Sequence, residues 1–208
     1  MKDLPQPSSS QGVLTDMEAA ANLERDAQLM LLVRDGDETS FALLLERHRA
    51  PVVHFLYRMV GNQAISEELA QEVFFRVYKS RGSYEPTAKF TTWLFRIATH
   101  LALNAIRDGK KVKGQVSLDE ELPDGRERQV ADRSRTVEQS MLDDVRVREV
   151  RAAIEALPEK QRAAVLMHKY EGLGYAQISK ALDCSDSATK SLLFRAYETL
   201  RVRLVHLA

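Results

Sequence analysis

Apolar side chains recur at the three- and four-residue spacing of helices through most of this chain, and the recurrence fails in two stretches. From Asp26 the spacing predicts a helix carrying Leu29, Met30, Leu32 and Val33 that ends near Gly36. Asp37 to Ser40 supplies N-cap candidates for a second helix with Phe41, Leu44, Leu45 and His48 inward. Pro51 either kinks that helix or opens a continuation bearing Val52, Phe55, Leu56 and Met59, closed by Gly61-Asn62. A third helix buries the line Ile65, Leu69, Val73 and Val77, with Ala70, Phe74 and Tyr78 beside it. Gly82, Ser83 and Pro86 then mark a loop. A fourth helix from about Phe90 repeats the pattern at Leu94, Ile97, Leu101 and Ala105.

The first gap is residues 1–25, rich in Ser, Gln, Pro and Ala, which read as a flexible tail. The second is residues 109–138, where large apolar residues are few and Pro123-Asp124-Gly125 signals a turn, so this stretch reads as a linker. Periodicity resumes with Val145, Val147, Val150, Ile154 and Leu157, stopped before Pro158. A helix over Glu159 to Tyr170 carries Val165, Leu166 and Met167 and is broken by Gly172 and Gly174. Tyr175 to Leu182, a short break at Asp183-Cys184-Ser185, and a long helix from about Ser187 to Leu204 follow. Two helices joined by so short a turn match the helix-turn-helix plan, with Tyr175, Ile178, Leu182, Cys184, Thr189, Leu193, Ala196 and Leu200 inward. The expected fold class is all-α: two small helical domains, 26–108 and 139–208, joined by a flexible linker, the second a helix-turn-helix.

Composition narrows the chemistry. Of the 208 residues, 44% are apolar, enough for packed cores, and the 29% that are charged suit a soluble helical protein. Formal net charge is zero, which argues against a simple basic nucleic-acid binder, but the distribution is polarised. Residues 1–46 set Lys2, Arg25 and Arg34 against nine acids, whereas residues 89–114 set Lys89, Arg96, Arg107, Lys110, Lys111 and Lys113 against Asp108 alone. Such a chain steers a polyanion to one face. The single Cys184 excludes an internal disulfide and a clustered-cysteine zinc site, and the isolated histidines have no metal spacing. No phosphate loop or nucleophile motif appears, so neither an enzyme nor a cofactor or metal is expected. No apolar run reaches the roughly 20 residues of a membrane helix, and no signal-peptide pattern opens the chain, so cytoplasm is the expected compartment.

Half of the aromatic rings fall between Ile65 and Arg107. The outer face of the third helix is Glu68, Gln71, Glu72, Phe75, Arg76 and Lys79, on which Phe75 is either the edge of a wider core or a contact for a partner. The outer line of the fourth helix is Thr92, Arg96, His100 and Arg107, leading into Lys110. Cations with rings nearby are the ingredients of a single-stranded nucleic-acid surface. Trp93, beside the buried stripe, reads as core rather than as a stacking platform. In the last long helix the exposed start is Ser187, Lys190, Ser191, Leu192, Phe194 and Arg195, the place where a helix-turn-helix meets duplex DNA.

Several motifs resemble one family. Glu68-Leu69-Ala70-Gln71-Glu72-Val73-Phe74 and Phe90-Thr91-Thr92-Trp93-Leu94-Phe95-Arg96-Ile97-Ala98 in the first domain, and Ala156-Leu157-Pro158-Glu159-Lys160-Gln161-Arg162, Glu171 to Ile178 and Lys190-Ser191 in the second, resemble the extracytoplasmic-function (group 4) sigma factors of bacterial RNA polymerase, in the sigma-70 family. The resemblance implies a specificity subunit that binds core polymerase and directs promoter-specific initiation. It implies that Glu68, Gln71, Glu72 and Phe75 dock on the clamp helices of the largest subunit. Lys89, Thr92, Arg96 and His100, followed by Arg107 and Lys110, would melt and read the minus-ten element, flipping a base at a cost of a few kcal/mol. The helix-turn-helix would read the minus-thirty-five element and meet the flap of the second-largest subunit, and an anti-sigma factor would be an inhibitory partner. The chain departs from the family pattern at His100, where Asn is frequent, at Asp183, where Gly is usual, and at Leu192 and Phe194, where Arg and His are usual. The alternative from the residues alone is a stand-alone helix-turn-helix regulator with an N-terminal sensing or dimerisation domain.

Overall fold

The structure, a computed structural model, describes residues 25–115 and 137–207. The first half has four helices: α1 over residues 25–34, α2 Glu38–Val60, α3 Gln63–Lys79 and α4 Phe90–Gln115, with a 3-10 turn, Arg81–Ser83, after α3. The second half has α5 Val137–Glu155, α6 Glu159–Lys169, α7 Tyr175–Leu182 and α8 Asp186–Arg203, then a 3-10 turn, Val205–Leu207. Among the described residues there is no strand. The tail expected over 1–25 lies, but for its last residue, outside the described residues, as do residues 116–136 of the expected linker; α4 continues to Gln115, past the expected domain end.

Local chemistry accounts for the helix ends. Asp37 caps α2 by accepting from the Thr39 amide at 3.0 Å and from the Ser40 hydroxyl at 2.6 Å, and the Ser40 bond holds its carboxyl below the usual range. Gly61 ends α2 in the left-handed region at φ 79°, which glycine reaches without steric cost, and its amide returns 2.8 Å to the Tyr57 carbonyl. Asn62 then caps α3 by accepting from the Ile65 amide at 3.0 Å. Pro51 does not break α2, which runs through it as one helix. In the second half Asp183 ends α7 at φ 53°, ψ 53°, so the turn of the helix-turn-helix is left-handed at a residue that tolerates it better than most. Ser185 caps α8 by accepting from the Ala188 amide at 3.1 Å.

The buried apolar side chains form one continuous cluster rather than two separate cores. Phe55 and Phe95 meet edge-on at 5.2 Å between α2 and α4, and Leu166, Met167, Ile178 and Leu193 fill the second half. Fully burying a side chain of this size contributes about 1.5–3 kcal/mol. The two halves touch because α4 packs along α7 and α2 packs on α6. Five residues that carried the expected apolar period are exposed: Leu32, Ile65, Val145, Val147 and Tyr175. Ile65 and Tyr175 stand in the first turns of α3 and α7, where the stripe runs off the end of its neighbours.

Candidate partner-binding and nucleic-acid surfaces

The outer face of α3 is set by its buried one. Ala70, Val73, Phe74 and Val77 turn inward, so helical geometry turns Glu68, Gln71 and Phe75 into solvent. Phe75 is 60% exposed, with the Lys79 ammonium 6.0 Å from its ring centre. Glu72 is half-buried and accepts from Arg76 Nε at 2.6 Å, a one-turn pair of the sort that contributes about 0.3–0.5 kcal/mol. Among the described residues the Phe75 ring lies in the open, as a contact for a partner requires and the edge of a wider core does not. Ile65, expected in the buried stripe, instead extends this face by an apolar side chain at the helix start.

The stretch between α3 and α4 is strung between two buried rings. Tyr84 is 4% exposed and Phe90 fully buried; the Tyr84 ring lies 5.0 Å from Trp93 and 6.4 Å from Phe90. Among the described residues the Tyr84 hydroxyl has no hydrogen-bond partner, and burial, with Asp26 nearby, pushes its pKa up. Glu85, Pro86, Thr87 and Lys89 between the rings are exposed. Beneath them, Asp26 of α1 is buried and is held by Arg47 and, at 2.8 Å, by His48 Nε2 of α2. That carboxylate, one of the acids of the acidic first segment, is a structural anchor, and His48 serves the fold.

The stripe on α4 is divided. Arg96, His100 and Arg107 are exposed, and Lys110 follows near the end of the helix. Thr92, on the same line, is 2% exposed: its Oγ1 accepts from Gln177 Nε2 of α7 at 3.1 Å. Trp93 is half-buried against the core, next to Tyr84.

On α8, positions 187, 190, 191, 194 and 195 form one outward stripe: Ser187, Lys190, Ser191, Phe194 and Arg195 are all exposed, Phe194 at 68%. Leu192 does not share it. It is half-buried and packs on the core, so an outward contact for it sits against the geometry. Behind the stripe, Thr189, Leu193 and Ala196 are buried, the Ser179 hydroxyl bonds Asp186 at 2.5 Å, and Cys184 Sγ lies half-buried 3.2 Å from Thr189 Oγ1.

Sequence reasoning missed the groups where the halves meet. Arg162 of α6 donates to the Met59 carbonyl of α2 at 2.7 Å, and burial lowers its pKa. Arg151 of α5 donates to the Tyr57 hydroxyl at 2.7 Å. Glu171, between α6 and α7, is pushed up to about 7 by burial, with Arg58 of α2 pulling the other way. Among the described residues no cluster of His, Cys, Asp or Glu is able to hold a metal ion, and no helix is long and apolar enough to cross a membrane.

Comparison with known proteins covers both halves. Residues 44–112 match the family described as Sigma-70 region 2, and residues 147–200 match Sigma-70, region 4. The chain is 31% identical to the RNA polymerase sigma-H factor of Pseudomonas aeruginosa over 180 residues, which span 85% of this chain and 92% of that one. It is 32% identical to the ECF RNA polymerase sigma-E factor of Haemophilus influenzae over 183 residues, 86% and 95% of the two chains. Its fold is similar to that of the sigma factor RpoE of Bartonella quintana, solved in complex with the anti-sigma factor NepR, at a TM-score of 0.60 and 18% identity over 79% of this chain and 96% of that one.

Proposed function

We propose, from the premise that this chain belongs to the extracytoplasmic-function sigma factors of the sigma-70 family, a division of the sigma-factor duties among the three exposed surfaces described above. As a sigma factor the chain binds core RNA polymerase and directs promoter-specific transcription initiation; the polymerase carries the chemistry. The α3 face of Glu68, Gln71, Glu72 and Phe75 is the docking surface for core polymerase. An exposed aromatic ring flanked by acids is a poor solvent surface and a good protein anchor, since truncating such rings in interfaces is often worth about 2 kcal/mol or more. That ring is the observation that carries the assignment.

Lys89, Arg96 and His100 contact the minus-ten strand as it opens, with Thr92 joining them once uncovered and Arg107 and Lys110 following the phosphates. The α8 stripe of Ser187, Lys190, Ser191, Phe194 and Arg195 lies in the major groove of the minus-thirty-five element, where Phe194 meets thymine methyls and the cations meet phosphate or guanine. The work is done in the cytoplasm, where the polymerase is, and an anti-sigma factor is a regulatory partner. A stand-alone regulator leaves the α3 face without a purpose.

Run-off transcription on candidate upstream regions, with core polymerase and with or without this chain, tests the reading. The expected result is chain-dependent transcripts together with weak duplex binding by the chain alone. No dependent transcript from any region, beside a firm duplex shift without polymerase, would point to the stand-alone regulator.

A further inference from the structure

Where α2, α5 and the end of α6 meet, the packing leaves a cavity of about 250 Å³, lined among others by Tyr57, Arg58, Val150, Arg151, Ile154 and Tyr170. A void of roughly 150 Å³ is enough to admit benzene, so this one takes a ring with a short chain attached. Helical spacing builds its α5 wall, since positions 147, 150, 151 and 154 fall on one face. Val147 is exposed, Val150 half-buried and Ile154 buried, so the wall runs from an open rim to a closed apolar floor.

Two tyrosine rings complete the apolar lining, and each carries a guanidinium. Arg151 lies 4.6 Å from the centre of the Tyr57 ring and is engaged at its edge, donating to the Tyr57 hydroxyl at 2.7 Å and to the Glu155 carboxylate at 2.8 Å. Arg58 lies 4.2 Å from the centre of the Tyr170 ring, and its side chain hydrogen-bonds none of the described residues. Stacking uses the face of a guanidinium and leaves the five N–H donors around its edge. Glu171, whose carboxyl feels the Arg58 charge, is pushed toward its neutral form by burial. With Arg146 also in the wall, the described lining sets three guanidinium groups against the carboxylate of Glu155. Arg58 is half-buried, and a cation so placed without an acceptor is what a ligand's anionic group answers.

We propose that this cavity binds a small organic monoanion, a carboxylate on an aromatic or short aliphatic body, with the body against Val150, Ile154 and the tyrosine rings and the carboxylate on the edge of Arg58. Small-molecule sites pair such an apolar enclosure with a few placed polar groups, and guanidinium and carboxylate match in planar, two-bond geometry. The charge of the walls opposes a cation, and an oligonucleotide exceeds the volume. None of the residues assigned above on α3, α4 and α8 lines the cavity, so the site stands apart from those assignments.

The test titrates the full chain with phenylbutyrate and with phenylbutanamide, its neutral counterpart, by calorimetry. Saturable one-to-one binding of the carboxylate is expected, about tenfold tighter than the amide or more, the value of a charge-assisted hydrogen bond, with a rise in melting midpoint on saturation. Arg58→Gln should bring the affinity for the carboxylate down to that for the amide. Val150→Phe, which fills the cavity with its own ring, should remove binding of both. No saturable binding of phenylbutyrate, benzoate or octanoate would overturn the proposal, as would equal affinity for acid and amide. Carboxylate affinity unchanged in Arg58→Gln would overturn it too, and that readout stands whether or not the larger ring at position 150 lets the chain fold. Binding retained in a folded Val150→Phe chain would put the ligand elsewhere and end the assignment. None of these measurements involves polymerase or DNA, so failure here leaves the sigma-factor reading untouched.

Discussion

Helices α3 and α4 are neighbours in sequence and share one core, yet they stand differently toward solvent. Both present a line of polar and charged side chains opposite a buried stripe. On α3 that line is open but for the half-buried Glu72, with Phe75 in the middle of it. On α4 the line begins under another helix, because Gln177 of α7 reaches Thr92. Helical period states which side chains a helix turns outward; what later packs on that side decides which of them a ligand can reach.

The sharpest way to break the comparison is to remove the ring. Phe75→Ala is expected to weaken binding to core polymerase by tenfold or more, about 1.4 kcal/mol or above, while thermal stability changes little because the ring stands in solvent. Fluorescence anisotropy of the labelled chain against core polymerase measures the first and a melting curve the second. Retained affinity would move the docking surface off α3; a large drop in stability would make Phe75 a core residue after all.

A smaller effect is expected on α8, which, like α3, is open in the free chain. Lys190→Ala combined with Arg195→Ala should lower duplex affinity of the holoenzyme and reduce the slope of log affinity against log salt by about 2, close to one unit for each phosphate that is no longer neutralised. An unchanged slope would mean that the stripe does not lie on the backbone.

Glu171 probes the side of the junction that covers α4. Its carboxyl is raised from an ordinary 4.5 to about 7, so the folded chain holds that proton more tightly than the unfolded one. Stability is therefore expected to fall as pH climbs from about 4.5 to about 7 and to stay reduced above it. Glu171→Gln should gain on the parent as pH rises, by something of order 1 kcal/mol at pH 8 once screening at a partly exposed site is allowed for. Melting curves at pH 5 and pH 8 decide it, since an equal difference at both would mean an ordinary carboxyl. Least of all, Asp183→Gly at the end of α7 should stabilise the fold by about 0.5–1 kcal/mol by relieving a left-handed residue, read as a rise in the denaturation midpoint.

Much of this molecule is legible from spacing alone. Val52, Phe55, Leu56 and Met59 lie buried as their period requires, and so do Ile178, Thr189, Leu193 and Ala196 around the turn at Asp183. Local signals are strong there because each residue meets neighbours one turn away. Failures gather where the deciding partner is distant or missing. Ile65 and Tyr175 keep the period but stand at helix starts with nothing beyond them to pack on. Leu192 is outward by position and is drawn in against the core. Asp26 reads as one more surface acid in sequence, yet Arg47 and His48, about twenty positions away, close on it. The bond between Thr92 and Gln177 crosses 85 positions and leaves no trace in any short window.

The loop tethered by Tyr84 and Phe90 bears on how such proteins diversify. Both anchors are buried by their neighbours' shape, and the Tyr84 hydroxyl, without a partner among the described residues, adds no hydrogen bond to that steric anchoring. The residues between the anchors, Glu85, Pro86, Thr87 and Lys89, are exposed, so exchanging them disturbs no packing. A lineage is thus free to vary a cassette of a few positions while the scaffold that presents it goes on folding unchanged.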